Sequence, residues 1–358
     1  MEVSSLIAAT RFSVLDRSRV REGYGEARAL RDTVRLAVRV ERLGFHRFWV
    51  SEHHGVPGVA GSAPTVLAAA VAAATRSIRV GTGGVMLPNH RSYVVAEQFG
   101  VLESLFPGRI DMGLGRSVGF TDGVRRALGR GKDDADDFAG QLAELLGWFR
   151  GDSPTQAAER RRRIPLRAVA GDGRAHARPA EGLRVPAFVL ATGEGADIAA
   201  GAGLPLVIGD IRGRERMLRA IDRYRQAFRP SPWAAEPYVV VSGTVAVAAT
   251  EEAAYRLLIP EAWSGAHSRT HGTFPPLPPA EAALDRPMTD RERELYASAL
   301  QGHVHGTEEQ VADALEELIK DSGAQEVLVT TSTHDRVALL DSYTRLARIA
   351  GLTPGRTS

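Results

Sequence analysis

Residues 47–54 read Arg-Phe-Trp-Val-Ser-Glu-His-His, and the fold is read outward from them. Arg47 to Ser51 has the length of a short buried strand, with an apolar centre at Phe48, Trp49 and Val50. Glu52, His53 and His54 follow together at its C-terminal end. Three ionisable side chains are costly to bury, and α/β folds place their chemistry at the carboxyl ends of strands. The bland alternative is a polar strand cap with one satisfied histidine. Three such groups in this position favour chemistry.

The flanking sequence alternates strand and helix. Before the opening stretch come a strand at 12–15, followed by Asp16, a polar loop at 17–25, and a helix at 26–43. The helix puts Ala27, Leu30, Val34, Ala37 and Val38 on one face, and Gly44 stops it. After it come a Gly/Pro loop at 55–62, a helix at 64–75 with Pro64 in its first turn, and a strand at 78–82 followed by Gly83-Gly84. A helix at 94–106 ends at Pro107-Gly108, and a strand at 110–114 runs into Gly115-Arg116. The second half continues with strands at 187–191, 206–208, 238–247 and 327–330. Helices are expected at 135–150, 196–202, 214–228, 251 to about 263, 307 to about 320 (Thr307 as N-cap) and 337–350.

Eight strands alternating with helices predict a (β/α)8 TIM barrel in a single domain over 1–358. Insertions are expected at about 151–186, and at about 264–290, which is long enough to be a mobile lid. No Gly-x-Gly-x-x-Gly follows the first strand, so the usual dinucleotide fingerprint is missing.

Composition narrows the chemistry. With 358 residues and 44% hydrophobic content the chain buries a full core without staples. It has no cysteine, which excludes disulfides, thiolate metal sites and cysteine nucleophiles. Net charge is +2, from 45 basic and 43 acidic residues, and only Lys132 and Lys320 are lysines. The basic run Arg160 to Arg163 has no aromatics interleaved, so no nucleic-acid partner is expected. No apolar stretch approaches the roughly 18 residues of a membrane span, and the N-terminal apolar residues lack a basic start. A cytoplasmic protein is expected.

In a barrel the strand ends converge on one face. Here they carry Asp16, Glu52-His53-His54, Gly83-Gly84, Gly115-Arg116 and Thr192-Gly193. One use of that set is a metal site recruiting His303 and His305. Adjacent residues of a strand point to opposite faces, however, so Glu52, His53 and His54 do not chelate one ion without a bend, and no metal is expected. The other use is an anionic cofactor. Gly83-Gly84 lets backbone approach a flat ring, Arg116 offers a guanidinium to a phosphate, and Thr192-Gly193 opens a helix whose free N–H groups favour an anion.

The same residues resemble the bacterial luciferase-like family of flavin-dependent monooxygenases. The resemblance lies in Phe-Trp-Val-Ser-Glu-His-His (48–54), Val-Gly-Thr-Gly-Gly-Val-Met-Leu-Pro-Asn-His (80–90), Val-Ala-Glu-Gln-Phe (95–99) and Pro-Gly-Arg-Ile-Asp-Met-Gly-Leu-Gly-Arg (107–116), with weaker matches at 203–205 and 306–311. It covers roughly 11–350 and looks nearest to a branch in actinomycete pathways, including those of aromatic polyketides.

The resemblance implies a dimeric TIM barrel. It would oxygenate a hydrophobic organic substrate with O2 and reduced FMN delivered by a separate flavin reductase. By position it implies His53 as the catalytic histidine, Gly83-Gly84 as a non-proline cis peptide against the flavin, and Arg116 at the phosphate. Glu52, Glu97, Thr192 and Gly193 are implied as further cofactor contacts. Three positions depart from the pattern. Gly115 stands where luciferase has a reactive cysteine. Phe138 replaces a second phosphate arginine, for which Arg125, Arg126 or Arg130 would substitute. Glu194 lies in the phosphate turn. The alternatives are a deazaflavin-dependent oxidoreductase on the same fold, or a barrel that binds flavin without catalysis.

Overall fold

A computed structural model of the chain describes residues 4–150, 175–210 and 213–353. The Arg160–Arg163 run and most of the 151–186 insertion fall outside the described residues. The barrel strands are β1 (Arg11–Asp16), β2 (Arg47–Val50), β3 (Arg79–Thr82), β5 (Ile110–Gly115), β6 (Ala187–Ala191), β7 (Leu206–Gly209), β8 (Val239–Gly243) and β11 (Glu326–Val329). A two-residue β4 (Val85–Met86) adds to the edge of β5. The order is β3-β2-β1-β11-β8-β7-β6-β5-β4, and a direct β3–β5 pairing closes the ring. Every pairing between these strands is parallel. The fold is the expected TIM barrel.

The helices are α1 (Ser5–Ala9), α2 (Glu26–Arg42), α3 (Pro64–Ala74), α4 (Ser92–Leu105), α5 (Asp122–Ala127), α6 (Phe138–Arg150), α7 (Gly195–Ala202), α8 (Arg214–Ala227), α9 (Glu251–His271), α10 (Ala280–Asp285), α11 (Asp290–Ala299), α12 (Glu308–Ser322) and α13 (Arg336–Ile349). Thr307 caps α12 as expected, its hydroxyl accepting from Gln310 N–H at 3.4 Å while the Gln310 side chain returns to Thr307 N–H. Among the described residues no helix is long and apolar enough to cross a membrane.

Two readings need correction. The strand expected over 238–247 breaks at Thr244. β8 stays in the barrel, while β9 (Val245–Val247) leaves it to pair with β10 (Val304–Gly306). At the break the Thr331 hydroxyl accepts from Val245 N–H and donates to Val245 O, in place of a ladder partner. The stretch 264–290, expected as an insertion, is partly helical. Helix α9 continues to His271, because Ser264, where a stop was expected, turns its hydroxyl to Pro275 O at 3.0 Å and to the Arg19 guanidinium at 2.7 Å. The following loop is laced to the first half: Gly58 N–H donates to Phe274 O (2.7 Å), and Leu277 N–H to Val20 O (2.8 Å). A Cβ on Gly58 would lie 2.2 Å from Pro275 O, so the two loops meet with room for glycine alone.

Along a strand alternate side chains face the barrel interior, and here they stack in layers. At the bottom sit Ser13, Arg47, Arg79, Asp111 and Glu326, in one buried ionic network. Arg47 bridges Asp111 (2.7 Å) and Glu326 (3.0 Å), and Arg79 takes the other oxygen of Asp111 (2.7 Å). The middle layer is apolar: Leu15, Trp49, Phe188, Val207, Val240 and Leu328. Trp49 meets Phe188 edge-to-face at 5.0 Å. The next residues in the same phase, Arg17, Ser51, Gly83, Gly115, Gly209, Ser242 and Thr330, form the mouth. In barrels of this kind the bottom face serves stability and the mouth is where chemistry is placed.

Candidate active site at the mouth of the barrel

The mouth has two unlike halves. On the β3 and β5 side it is floored by backbone. A Cβ on Gly83 would press on Leu15 (2.8 Å) and Trp49 (3.1 Å), and one on Gly84 would come within 2.9 Å of Gly113 O. A Cβ on Gly115 would meet nothing nearer than Val85 O at 3.9 Å, so this part of the mouth is open. The Gly83–Gly84 peptide is cis, as the resemblance implied. A flat, ring-shaped cofactor fits this surface, since the three glycines bring backbone to it without side chains.

The adjoining side, at the ends of β2 and β1, is polar. His53 continues the inward phase of Arg47, Trp49 and Ser51. Its N–H donates to Gly61 O (2.8 Å), and its Nδ1 lies 3.2 Å from Ser51 Oγ. The exposed ring of Phe120 stacks over the imidazole at 6.2 Å. Burial, then the nearby Arg17 and Arg19 guanidiniums, push the His53 pKa down to about 4. The imidazole is therefore neutral at physiological pH. Glu261, from α9, bridges Arg17 (3.1 Å) and Arg19 (3.1 Å). Burial raises the Glu261 pKa, but the two guanidiniums outweigh it and hold the carboxyl below its usual range.

Glu52 corrects an expectation. In the opposite phase to His53, its carboxylate turns to protein rather than to the mouth. Oε1 is set against His54 Nε2 (2.7 Å) and His90 Nε2 (2.8 Å), and Oε2 accepts from Met86 N–H (2.9 Å). It thus ties the end of β2, which carries His53, to β4, which follows the glycine floor. The donor atoms of Glu52, His54 and His90 converge, yet 2.7–2.8 Å is hydrogen-bond length. An ion 2.0–2.2 Å from each ligand would hold them further apart. His303 and His305 do not join them: His303 Nε2 is 2.8 Å from Ala299 O, and His305 Nδ1 3.3 Å from His303 O.

Burial raises the Glu52 pKa. The hydrogen bonds from His54, His90 and Met86 N–H prevail and bring it down to about 2. A depressed carboxyl stabilises the fold above its unfolded value of about 4.5, and that contribution is lost as pH falls toward 2. Glu52→Gln is expected to cost about 2 kcal/mol near neutrality and to flatten the acid limb of stability between pH 4.5 and 2. Urea unfolding across that range measures both. Unchanged stability would remove the tether from the account.

The remaining expected residues fall in two places. Arg116 lies at the rim beside Glu194 (3.4 Å), both exposed, and Thr192 and Gly193 lead into α7 next to them. Glu97 is apart, half-buried on the outer helix α4, where it hydrogen-bonds with Tyr93. Phe138 is buried at the start of α6. Arg125 bonds Gly119 O and Phe120 O, and Arg130 bonds His90 O, so both are spent on local loops. Sequence reasoning missed Arg17, His90 and Glu261. For Arg17 a signal existed: it follows Ser13 and Leu15 in the inward phase. Glu261 is 244 residues from Arg17 and has no local signature.

A sequence model of the luciferase-like monooxygenase family matches residues 10–326. The uncharacterized protein YvbT of Bacillus subtilis is 36% identical over 341 residues, covering 95% of this chain and 96% of that protein. A luciferase-like monooxygenase of Escherichia coli K12 is 32% identical over 336 residues, covering 93% and 94%. Among solved structures, apo-MsnO8 superposes with a TM-score of 0.82 at 31% identity, covering 98% of this chain and 100% of that one. At lower identity the fold is shared with the oxygenating constituent of a 3,6-diketocamphane monooxygenase in complex with FMN (0.70, 17%) and with an F420-dependent secondary alcohol dehydrogenase (0.68, 15%).

Proposed function

Because the chain belongs to the luciferase-like monooxygenase family, we propose that it is a monooxygenase that uses reduced FMN and O2 on an organic substrate. The observation that carries this reading is the glycine-floored half-mouth with a neutral, inward His53 on the adjoining strand end. Gly83, Gly84 and Gly115 would take the ring, and Arg116 with the Thr192-Gly193 turn would take the phosphate. Bound reduced FMN supplies the two electrons with which one atom of O2 enters the substrate and the other leaves as water. The chain's own part is to exclude water with Trp49 and Leu15 below and Phe120 above, and to hold or move a proton at His53 Nε2. A separate flavin reductase, a homodimeric state, a cytoplasmic location and a secondary-metabolite substrate complete the proposal.

Glu194 bears on the phosphate. It now neutralises Arg116, and a phosphate must displace it. Both groups are exposed, so breaking the pair costs little. Arg116→Ala is expected to weaken FMN by about 2 kcal/mol, roughly 30-fold, while Glu194→Gln tightens it several-fold. Quenching of FMN fluorescence measures both. With a reductase and NADH present, O2 uptake coupled to product formation supports the reading. Reduction of a deazaflavin without O2 uptake would replace it with the hydride-transfer alternative, and FMN binding without turnover on any substrate would leave a non-catalytic barrel.

A further inference from the structure

We propose that Arg17 receives a carboxylate of the substrate on the polar side of the mouth. The inference rests on the monooxygenase reading and names its substrate class: an organic acid rather than a neutral hydrocarbon. Three observations carry it.

The first is charge. Two guanidiniums, Arg17 and Arg19, share one carboxylate, Glu261. Glu52 is turned away to its histidines. At the polar side of the mouth two guanidiniums thus meet one carboxylate, above an apolar floor of Leu15 and Trp49. An excess of guanidinium over carboxylate in such surroundings favours an anionic ligand.

The second is the state of the two arginines. Arg19 is spent: Nε on Glu261, Nη1 on Gly58 O (3.0 Å), Nη2 on Ser264 Oγ and Pro275 O, with its plane over the Phe274 ring at 4.3 Å. Its groups are all taken up in holding α9 and the adjoining loops to the segment after β1. Arg17 is not spent. Its Nη1 meets Glu261, and its Nη2 meets Thr330 O (3.3 Å) and Ser332 Oγ (3.2 Å). Its Nε is buried and has no hydrogen-bond partner among the described residues. A buried N–H left without an acceptor is a cost that a ligand oxygen removes. Ser332, accepting from Arg17, keeps its own O–H to donate to the same carboxylate.

The third is position. In the closed ring, β6 lies four strands from β1 in either direction. Arg116 and the Thr192-Gly193 turn follow β5 and β6, whereas Arg17 follows β1. The anion at Arg17 is thus across the mouth from the rim assigned to the cofactor phosphate. It lies on the side of His53, where the substrate must sit.

The test uses the full-length protein loaded with FMN, and calorimetric titration with three acids and their primary amides: benzoate and benzamide, octanoate and octanamide, N-acetylmethionine and its amide. At least one acid is expected to bind ten-fold or more tightly than its amide. Arg17→Gln should reduce that preference to less than two-fold while the amide's affinity holds. Ser332→Ala, which leaves the ion pair with Glu261 in place, should lower the preference three- to ten-fold and serves if Arg17→Gln does not fold. Equal binding of acid and amide, no carboxylate binding at millimolar concentration, or a preference that survives Arg17→Gln overturns the proposal. An acid preference at Arg17 in a protein that neither uses O2 nor binds FMN through Arg116 overturns the monooxygenase reading instead.

Discussion

Asp111→Ala is expected to cost the fold about 3–5 kcal/mol, the scale of breaking a buried ion pair from one side. The carboxylate is fully buried at the bottom of the barrel. One oxygen accepts from Arg47 (2.7 Å) and the Trp49 indole N–H (3.2 Å), and the other from Arg79 (2.7 Å). Removing it strands these donors unequally. Arg79, about a quarter exposed, turns out to solvent. Arg47 is buried and keeps only Glu326, which must also serve Ser13 (2.5 Å) and Tyr238 (2.8 Å). The Trp49 N–H is left bare in the interior. The urea midpoint should fall accordingly, with FMN affinity of the remaining folded protein little changed, because the network lies beneath the apolar layer and away from the mouth. Replacing Arg47 with Met as well should deepen the loss, because buried Glu326 then loses its ion-pair partner and keeps only the Ser13 and Tyr238 hydroxyls. A single variant within 1 kcal/mol of the parent would show that the network contributes nothing the barrel needs.

That network also shows what a sequence conceals. Arg47 opens the stretch from which the fold was read, yet its apolar neighbours carried the reading, and nothing local marks its partners Asp111 and Glu326, 64 and 279 residues away. The eight strands were legible because short apolar runs recur between amphipathic helices. The glycine floor was legible because Gly-Gly and Gly-Arg stand directly at strand ends. Arg17 was passed over although its phase could be read, because a charged residue after Asp16 reads as the start of a loop, whereas the inward phase of β1 runs on past its last ladder bond. Glu52 was legible as chemistry but not in its role. An extended pattern says which face a side chain takes, and here that face leads away from the mouth to His90, 38 residues on. The stop expected near Trp263 failed because Ser264 and Gly265 are poor helix residues only when nothing tertiary holds them, and Arg19 and Pro275 hold Ser264.

His53→Ala is expected to lower substrate oxygenation about 10²–10⁴-fold, the usual contribution of a positioned acid or base, while FMN affinity stays within a few-fold. The separation of the two effects follows from place. His53 stands on the β2 end with Arg17 and Glu261, and the surfaces assigned to FMN are backbone at Gly83, Gly84 and Gly115 and the rim at Arg116. Its neutral ring offers one N–H and one lone pair. Ser51 Oγ at 3.2 Å engages Nδ1, so Nε2 is the atom left for the substrate side, where no hydrogen-bond partner is described for it. With the pKa pushed down to about 4, the working neutral form should persist from pH 8 to about pH 5 and be lost only as pH falls through 4. An unperturbed histidine would be lost near 6.5. Removing a cationic neighbour reverses part of the shift, so the His53 ring signal in Arg17→Gln should titrate at higher pH than in the parent. Nuclear magnetic resonance of the histidine rings reads that directly, without turnover. Oxygenation by His53→Ala at the parental rate would end the catalytic assignment, and a parental ring that titrates near 6.5 would end the electrostatic account of it.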